Sequence, residues 1–364
     1  MLSCVNVALP PFMGRAPQCS PACVTFYNSS VAIMISRDNL DDYICRLRQG
    51  ERVALAQAMT LAESSLPQHR ALSAQMLDGI MPYTGQAKRL GVTGTPGAGK
   101  STFLEALGEE LLSQGHKVAV IAVDPSSPVS GGSILGDKTR MLNLSRAEHA
   151  FVRPVPSRGH LGGISQSTRE LILLCEAAGY DIVIVETVGV GQSETEVAAM
   201  VDCFLSLQIA GAGDDLQGIK KGIMEMADFV IINKDDGENH VNVEISRHMY
   251  HSALQIIRRK YPLWQPQVLT CSALEKRGIR DVWQAVQTFW PIMANSGQLA
   301  ALRERQNLAW VRQQIEANAL AALFARPDLH QHYQHIATLL HQNQISPRAG
   351  ISTITDFITQ KIFH

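Results

Sequence analysis

The sequence predicts an α/β protein: a mostly parallel β-sheet covered on both faces by helices, with helical extensions before and after it. Three observations predict it. Between Arg89 and about Trp290, short apolar runs alternate with helix-like segments. The runs are rich in Val and Ile with little polar alternation, which marks strands buried on both faces. The 364 residues, 46% of them hydrophobic, are ample for one large domain with helical arms.

Residues 1–33 stand apart. They hold no acid, one arginine (Arg15), four prolines and three cysteines. This segment lacks the apolar core of a secretory signal and the arginines of a mitochondrial presequence. We expect it to be disordered or outside the working protein, with translation starting at Met34. Cys19 and Cys23 lie four apart, but two thiols without a nearby His or Cys partner make a poor metal site. From Ser36 to Ile80 the pattern is helical: Leu40, Tyr43, Ile44 and Leu47 recur at helical spacing up to Gly50. "RVALAQAMTLAE" and "HRALSAQMLDGI" follow. The strand candidates are "LGVTG", "KVAVIAVD", "DIVIVET", "CFLSLQIA", "DFVIINK" and "PQVLTCSA". After Pro291 the pattern is helical again, with Leu302, Leu308, Val311, Ile315, Leu320 and Leu323 on one repeat. The boundaries read from this are an extension over 1–33, a helical segment over 34–88, a central domain over 89–292 and a C-terminal helical arm over 293–364.

Bulk properties exclude several classes. A net charge of −1 carries no basic excess, so nucleic acid is not the expected partner. No run approaches eighteen consecutive apolar residues, so no membrane span is expected. Seven cysteines in so long a chain are not a disulfide scaffold. Cys175, Cys203 and Cys271 sit in apolar contexts and read as buried thiols of a reducing compartment, the cytoplasm.

The chemistry is concentrated in short motifs. "LGVTGTPGAGKST" places Gly94, Thr95, Pro96, Gly97, Ala98, Gly99, Lys100, Ser101 and Thr102 between a strand and a helix, the context of a P-loop. Glycines let the backbone wrap phosphates with inward N–H groups, and the helix N-terminus adds its dipole. Lys100 is expected to reach the β- and γ-phosphates and the Ser101 hydroxyl to bind Mg²⁺. The alternative is a plain glycine turn. "FVIINKDDGEN" ends a strand in Asn233, Lys234, Asp235 and Asp236. The Asp236 carboxylate can accept from both N1–H and the exocyclic amine of guanine, whereas adenine offers no donor at either place. Lys234 would cover the base. Ser272, Ala273 and Leu274 end the next strand, where such proteins touch the guanine O6. The motifs in this order point to GTP/GDP over ATP.

"DIVIVETVGVGQSE" ends a strand in Glu186, the place of an acid that helps hold Mg²⁺ and its waters. Gly189 follows at the spacing of a γ-phosphate contact. Val190 occupies the position at which a glutamine orients the attacking water in the best-known signalling GTPases, and Gln192 is two positions further on. Asp124 and Asp137 are further candidates for the metal; the alternative for Asp124 is a turn cap. The loop between them is rich in Gly and Ser, which suits a segment that orders around phosphate. "GAGDDLQGIKKGIMEMAD" reads either as a loop sensing nucleotide state or as a solvated face.

Together "GVTGTPGAGKST", "VDPSSPVSGGSILGDKTRM", "RPVPSRGHLGGIS", "VETVGVGQSE", "AGAGDDLQGIKKGIMEMAD" and "NKDDGEN" resemble the methylmalonyl-CoA mutase-associated G proteins of the MeaB/ArgK type. The resemblance runs from about Met34 to the C-terminus. It implies a P-loop GTPase of the class that includes nickel-insertion and signal-recognition GTPases. It further implies a homodimeric chaperone of an adenosylcobalamin-dependent methylmalonyl-CoA mutase, gating cofactor loading and protecting or restoring the enzyme with GTP. Lys220 and Lys221 would then lie in a third switch facing the mutase. An older label for the family is a kinase of arginine and ornithine transport, against which the guanine motif argues. A metal-insertion GTPase is the other alternative. It would need a Cys or His cluster, and His330, His332 and His335 are the late candidates. Eukaryotic relatives are mitochondrial, and residues 1–33 have no place in the family pattern.

Overall fold

The computed structural model describes residues 35–64, 66–124, 141–156, 163–187, 193–210 and 221–363. Seven strands form one sheet: β1 (Lys88–Gly94), β2 (Val118–Asp124), β3 (Ala150–Pro156), β4 (Ile182–Glu186), β5 (Cys203–Ile209), β6 (Phe229–Asn233) and β7 (Gln267–Thr270). Their order is β3-β2-β4-β1-β5-β6-β7 and every pairing is parallel. Six of the seven strands coincide with the apolar runs. β3 was not among them. Its sequence AFVRPVP carries Pro154 and Pro156, which have no amide donor and disguise the run as a loop. The strand survives because it lies at the edge of the sheet, the position where proline is tolerated.

Parallel strands need covered faces, and period-two side chains supply both. In β4, Ile182 and Ile184 face one core while Val183 and Val185 face the other, all fully buried. This is why the run shows no polar alternation. Each such aliphatic side chain contributes about 1.5–3 kcal/mol on burial. One face is covered by α1 (Leu40–Arg48), α2 (Arg52–Ala62), α3 (Pro67–Ile80), and, later in the chain, the helix Gly163–Ala177. Tyr43, Ile44 and Leu47 of α1 pack with Leu55, Met59, Leu171 and Phe204. The N-terminal helices therefore share a core with the sheet. The opposite face is covered by α4 (Lys100–Ser113) and by two helices that follow β7.

The remaining helices are α5 (Leu142–Arg146), α6 (Gly163–Ala177, the helix just named), α7 (Ser193–Ala198), α8 (Lys221–Met226), α9 (His240–Ile256), α10 (Ile279–Gln287), α11 (Phe289–Asn295), α12 (Gln298–Phe324), α13 (Pro327–His341) and α14 (Pro347–Phe363). α8 and α9 cover β6 through Met224, Val243, Tyr250 and Leu254. Trp283, Phe289 and Trp290 of α10 and α11 close the face shared with α4.

α12 is anchored by polar chemistry. The guanidinium of Arg303 donates to both carboxylate oxygens of Asp202 at 2.8 and 2.7 Å and to the Ala87 carbonyl at 2.7 Å. Asp202 also accepts from the Arg89 amide at 2.9 Å and the Trp290 indole at 3.2 Å. Gln306 donates to the Val201 carbonyl at 2.8 Å. Beyond this anchor the apolar repeat runs out into solvent: Leu308, Val311, Ile315, Leu320 and Phe324 are exposed. No helix among the described residues is long and apolar enough to cross a membrane.

Candidate active site

The site lies at the carboxyl ends of the central strands, where β1 runs into α4. Gly94 ends β1 against β5, and a Cβ there would stand 2.4 Å from the Leu207 carbonyl oxygen. No larger residue fits. Gly97 and Gly99 both have φ of +81°, the left-handed region that glycine enters without cost, and the chain turns through them into Lys100, the first residue of α4. Pro96 and Gly97 are exposed and Ala98 is buried. The Lys100 ammonium lies across the turn and donates to the Gly94 and Thr95 carbonyls at 2.9 and 3.3 Å. The Thr95 hydroxyl is buried without a hydrogen-bond partner. Ser101 is half-buried and Thr102 exposed in the first turn of the helix.

The residues expected from the sequence to recognise the base converge on this turn. Asn233 ends β6, buried, and its side-chain amide donates to the Ala98 carbonyl at 2.8 Å. Its carbonyl oxygen accepts from the Ala273 amide at 2.9 Å. One side chain thus joins the phosphate loop to the loop after β7. Lys234 is held at a φ of +65°, rare for a residue with a side chain, and Asn239 donates to its carbonyl at 2.8 Å. Asp236 accepts from the Ser272 hydroxyl at 2.8 Å. Ser272 acts here through its side chain, and Leu274 projects outward, 78% exposed.

The two adjacent aspartates do different work. Asp235 is buried, and its carboxylate lies 2.8 Å from His240 Nδ1 and 3.5 Å from the Arg277 guanidinium, which also donates to the Asp235 carbonyl. Asp236 is only half-buried, beside the mouth of the loop. Sequence reasoning named Asp235 only as part of the motif, without a role, and missed His240 and Arg277. The doubled Asp was the only signal, since Arg277 lies 42 residues from Asp235.

Of the residues expected to hold magnesium, Glu186 ends β4 and is buried, 7% exposed. It aligns with Val92 of β1 and Ala122 of β2, so Asp124, the last residue of β2, lies two positions further along the neighbouring strand. Thr187 pins this strand end to β1: its amide donates to the Val92 carbonyl at 2.9 Å and its hydroxyl to the buried Thr93 hydroxyl at 2.8 Å. Asp137, Gly189, Val190, Gln192, Lys220 and the Cys19/Cys23 pair lie outside the described residues.

Among the described residues no three His, Cys, Asp or Glu side chains gather as a metal cluster. Mg²⁺ bound with a nucleotide needs one or two protein oxygens besides phosphates and waters. The Ser101 hydroxyl and the Glu186 carboxylate, flanking the turn, are a donor set of that kind. The late histidines do not gather. His332 stacks on Phe357 of α14 with ring centroids 4.5 Å apart, and His330 contacts Gln334 at 2.9 Å. Cys175, Cys203 and Cys271 are buried free thiols, with Cys271 pushed up to about 12 by burial and by Asp235.

Comparison with known proteins gives a consistent picture. Residues 55–328 match the family model described as "Methylmalonyl Co-A mutase-associated GTPase MeaB". The chain is 64% identical over 330 residues to "GTPase ArgK" of Escherichia coli (strain K12), covering 91% of this chain and 100% of that protein. It is 43% identical over 311 residues to "Methylmalonic aciduria type A homolog, mitochondrial" of Mus musculus, covering 83% of this chain and 75% of that one. A crystal structure of a protein named "LAO/AO transport system kinase" superposes with a TM-score of 0.73 at 57% identity, covering 90% of this chain and 100% of that chain.

Proposed function

We propose, from the premise that this chain belongs to the MeaB family of methylmalonyl-CoA mutase-associated GTPases, that it is the GTP-driven chaperone of an adenosylcobalamin-dependent methylmalonyl-CoA mutase. The chain is a GTPase with a guanine-nucleotide site. The observation that carries the reading is Asp236, steadied by Ser272 and tied through Asn233 to the phosphate loop. A carboxylate held there pairs with the N1–H and amino group of guanine, and against adenine it is left without a donor.

In this reading the loop from Gly94 to Gly99 presents backbone N–H groups to the phosphates. Lys100 leaves the Gly94 and Thr95 carbonyls to neutralise the charge that spreads over the γ-phosphoryl oxygens. Ser101 and Glu186, with Asp124 and Asp137 as further contacts, would hold Mg²⁺. Mg²⁺, when bound there, would supply neutralisation of the phosphate charge. Gly189 would meet the γ-phosphate. Val190 cannot orient water, so hydrolysis by the chain alone is slow, and a partner that orders the neighbouring loops accelerates it.

The family name and the name of the mouse relative support a methylmalonyl-CoA mutase as that partner. The exposed repeat Leu308, Val311, Ile315 and Leu320 supports a homodimer built on the C-terminal arm, with residues 89–292 as the GTPase domain and 34–88 packed beside it. The proposed location is the cytoplasm.

The test is GTP turnover by the purified chain with and without its adenosylcobalamin-dependent mutase, and co-purification of the two in GTP or GDP. Stimulation of at least tenfold and nucleotide-dependent association are expected; fast turnover that the mutase leaves unchanged would sink the reading. Sedimentation of a chain ending before Leu299 should show a monomer. The transport-kinase reading, kept alive by the name of the similar crystal structure, predicts transfer of the ATP γ-phosphate to the chain or an acceptor; we expect none.

A further inference from the structure

On the sheet face covered by the N-terminal helices, away from the phosphate loop, α3, α6 and α12 enclose a cavity of about 800 Å³. That is the size of pocket that takes a small organic molecule. Leu77, Leu173, Met200 and Trp310 form its apolar wall. Its polar groups are unevenly matched. Arg89 lines the cavity but is committed to Glu176, at 2.7 and 3.2 Å. Arg169 has no such counter-ion among the described residues: its guanidinium donates to the Ala199 carbonyl, and no described carboxylate pairs with it. Burial, with the positive charge of Arg89, pushes its pKa down to about 10, so it is still a cation at neutral pH. The side chain is half-buried on the cavity wall, and most of its five N–H donors have no partner among the described residues, so they are open to an anion in the cavity.

We propose that this cavity is a binding site for a small organic carboxylate, its head on the Arg169 guanidinium and its apolar body against Leu77, Leu173, Met200 and Trp310. The site lies apart from the nucleotide and independent of it. A planar carboxylate matches the guanidinium fork. The same wall also carries Glu63, Asp78 and Glu170 and a further cation, Arg70. Glu63 is already paired with Arg153. A singly charged carboxylate costs less to desolvate beside the apolar wall than the double charge of a phosphate monoester.

The full chain is titrated calorimetrically with acetate, octanoate, phenylacetate, phenyl phosphate and inorganic phosphate, and tryptophan emission is followed in parallel. Octanoate or phenylacetate should bind saturably, one per chain, more tightly than acetate and than either phosphate. The emission change should vanish in Trp310→Phe. Arg169→Met should weaken binding at least tenfold and leave guanine-nucleotide affinity as it was. If Arg169→Met also fails to bind nucleotide, it has not folded, and Ala74→Phe, which fills the cavity from an exposed position of α3, decides instead by the same tenfold criterion. Absence of saturable carboxylate binding, binding indifferent to the deciding variant, or preference for either phosphate would overturn the proposal.

Discussion

Asp228 shows how a single buried carboxyl sets the pH response of this fold. It lies fully buried at the start of β6, where burial pushes its pKa up to about 6. The Lys260 ammonium at 3.2 Å and the Phe204 amide at 2.8 Å pull the other way, and Asp202 adds to the rise. A carboxyl raised in this way binds its proton more tightly in the folded chain than in the unfolded one. Its contribution to stability is therefore fully present below about pH 4 and is lost as the pH climbs through 6. The full loss is about 3 kcal/mol. Asp228→Asn cannot titrate, so urea unfolding of the variant between pH 4 and 6.5 should lose less stability with rising pH than the parent. Equal slopes would show that Lys260 compensates the charge completely.

At the scale of elements, the site is a joint between three strand ends, and Asn233 is its pin. Asn233→Ala would leave the Ala98 carbonyl and the Ala273 amide without their partners in a buried place, at a cost of about 2–4 kcal/mol. The variant should lose that much in chemical unfolding and bind GDP at least tenfold more weakly, by displacement of a fluorescent nucleotide. Unchanged affinity would mean that the two loops hold their places without it. The phosphate turn and the Asn233–Asp236 strand end were legible in the sequence because their chemistry needs contiguous residues. The partners were not. Ser272 reaches Asp236 from 36 positions away, and His240 and Arg277 serve Asp235 through contacts that folding alone creates. β3 stayed hidden for a different reason: an edge strand tolerates prolines that a central one cannot, and a pattern does not announce which strand will be the edge.

For the molecule as a whole, Asp202 joins body and arm. It receives Arg303 and Trp290 from the C-terminal helices and the Arg89 amide from β1. Removing it strands a mostly buried guanidinium, so Asp202→Ala should cost about 3–5 kcal/mol. It should also open the chain to proteases near Gly297, seen as an early fragment lacking the arm; a stable, protease-resistant variant would show that apolar contacts alone hold α12. Such a link could not be read beforehand, since Arg303 and Asp202 are 101 residues apart. The outer strand of the sheet has a consequence for how these molecules meet each other. Pro154 and Pro156 alternate with Arg153 and Val155 along β3, and Arg153 is held by Glu63, the residue after α2. A foreign strand docking there would find two missing donors and a tethered cation, so sheet-to-sheet stacking into fibres is blocked at that rim. The protein can expose a long apolar helix for company while keeping this border closed to polymerisation.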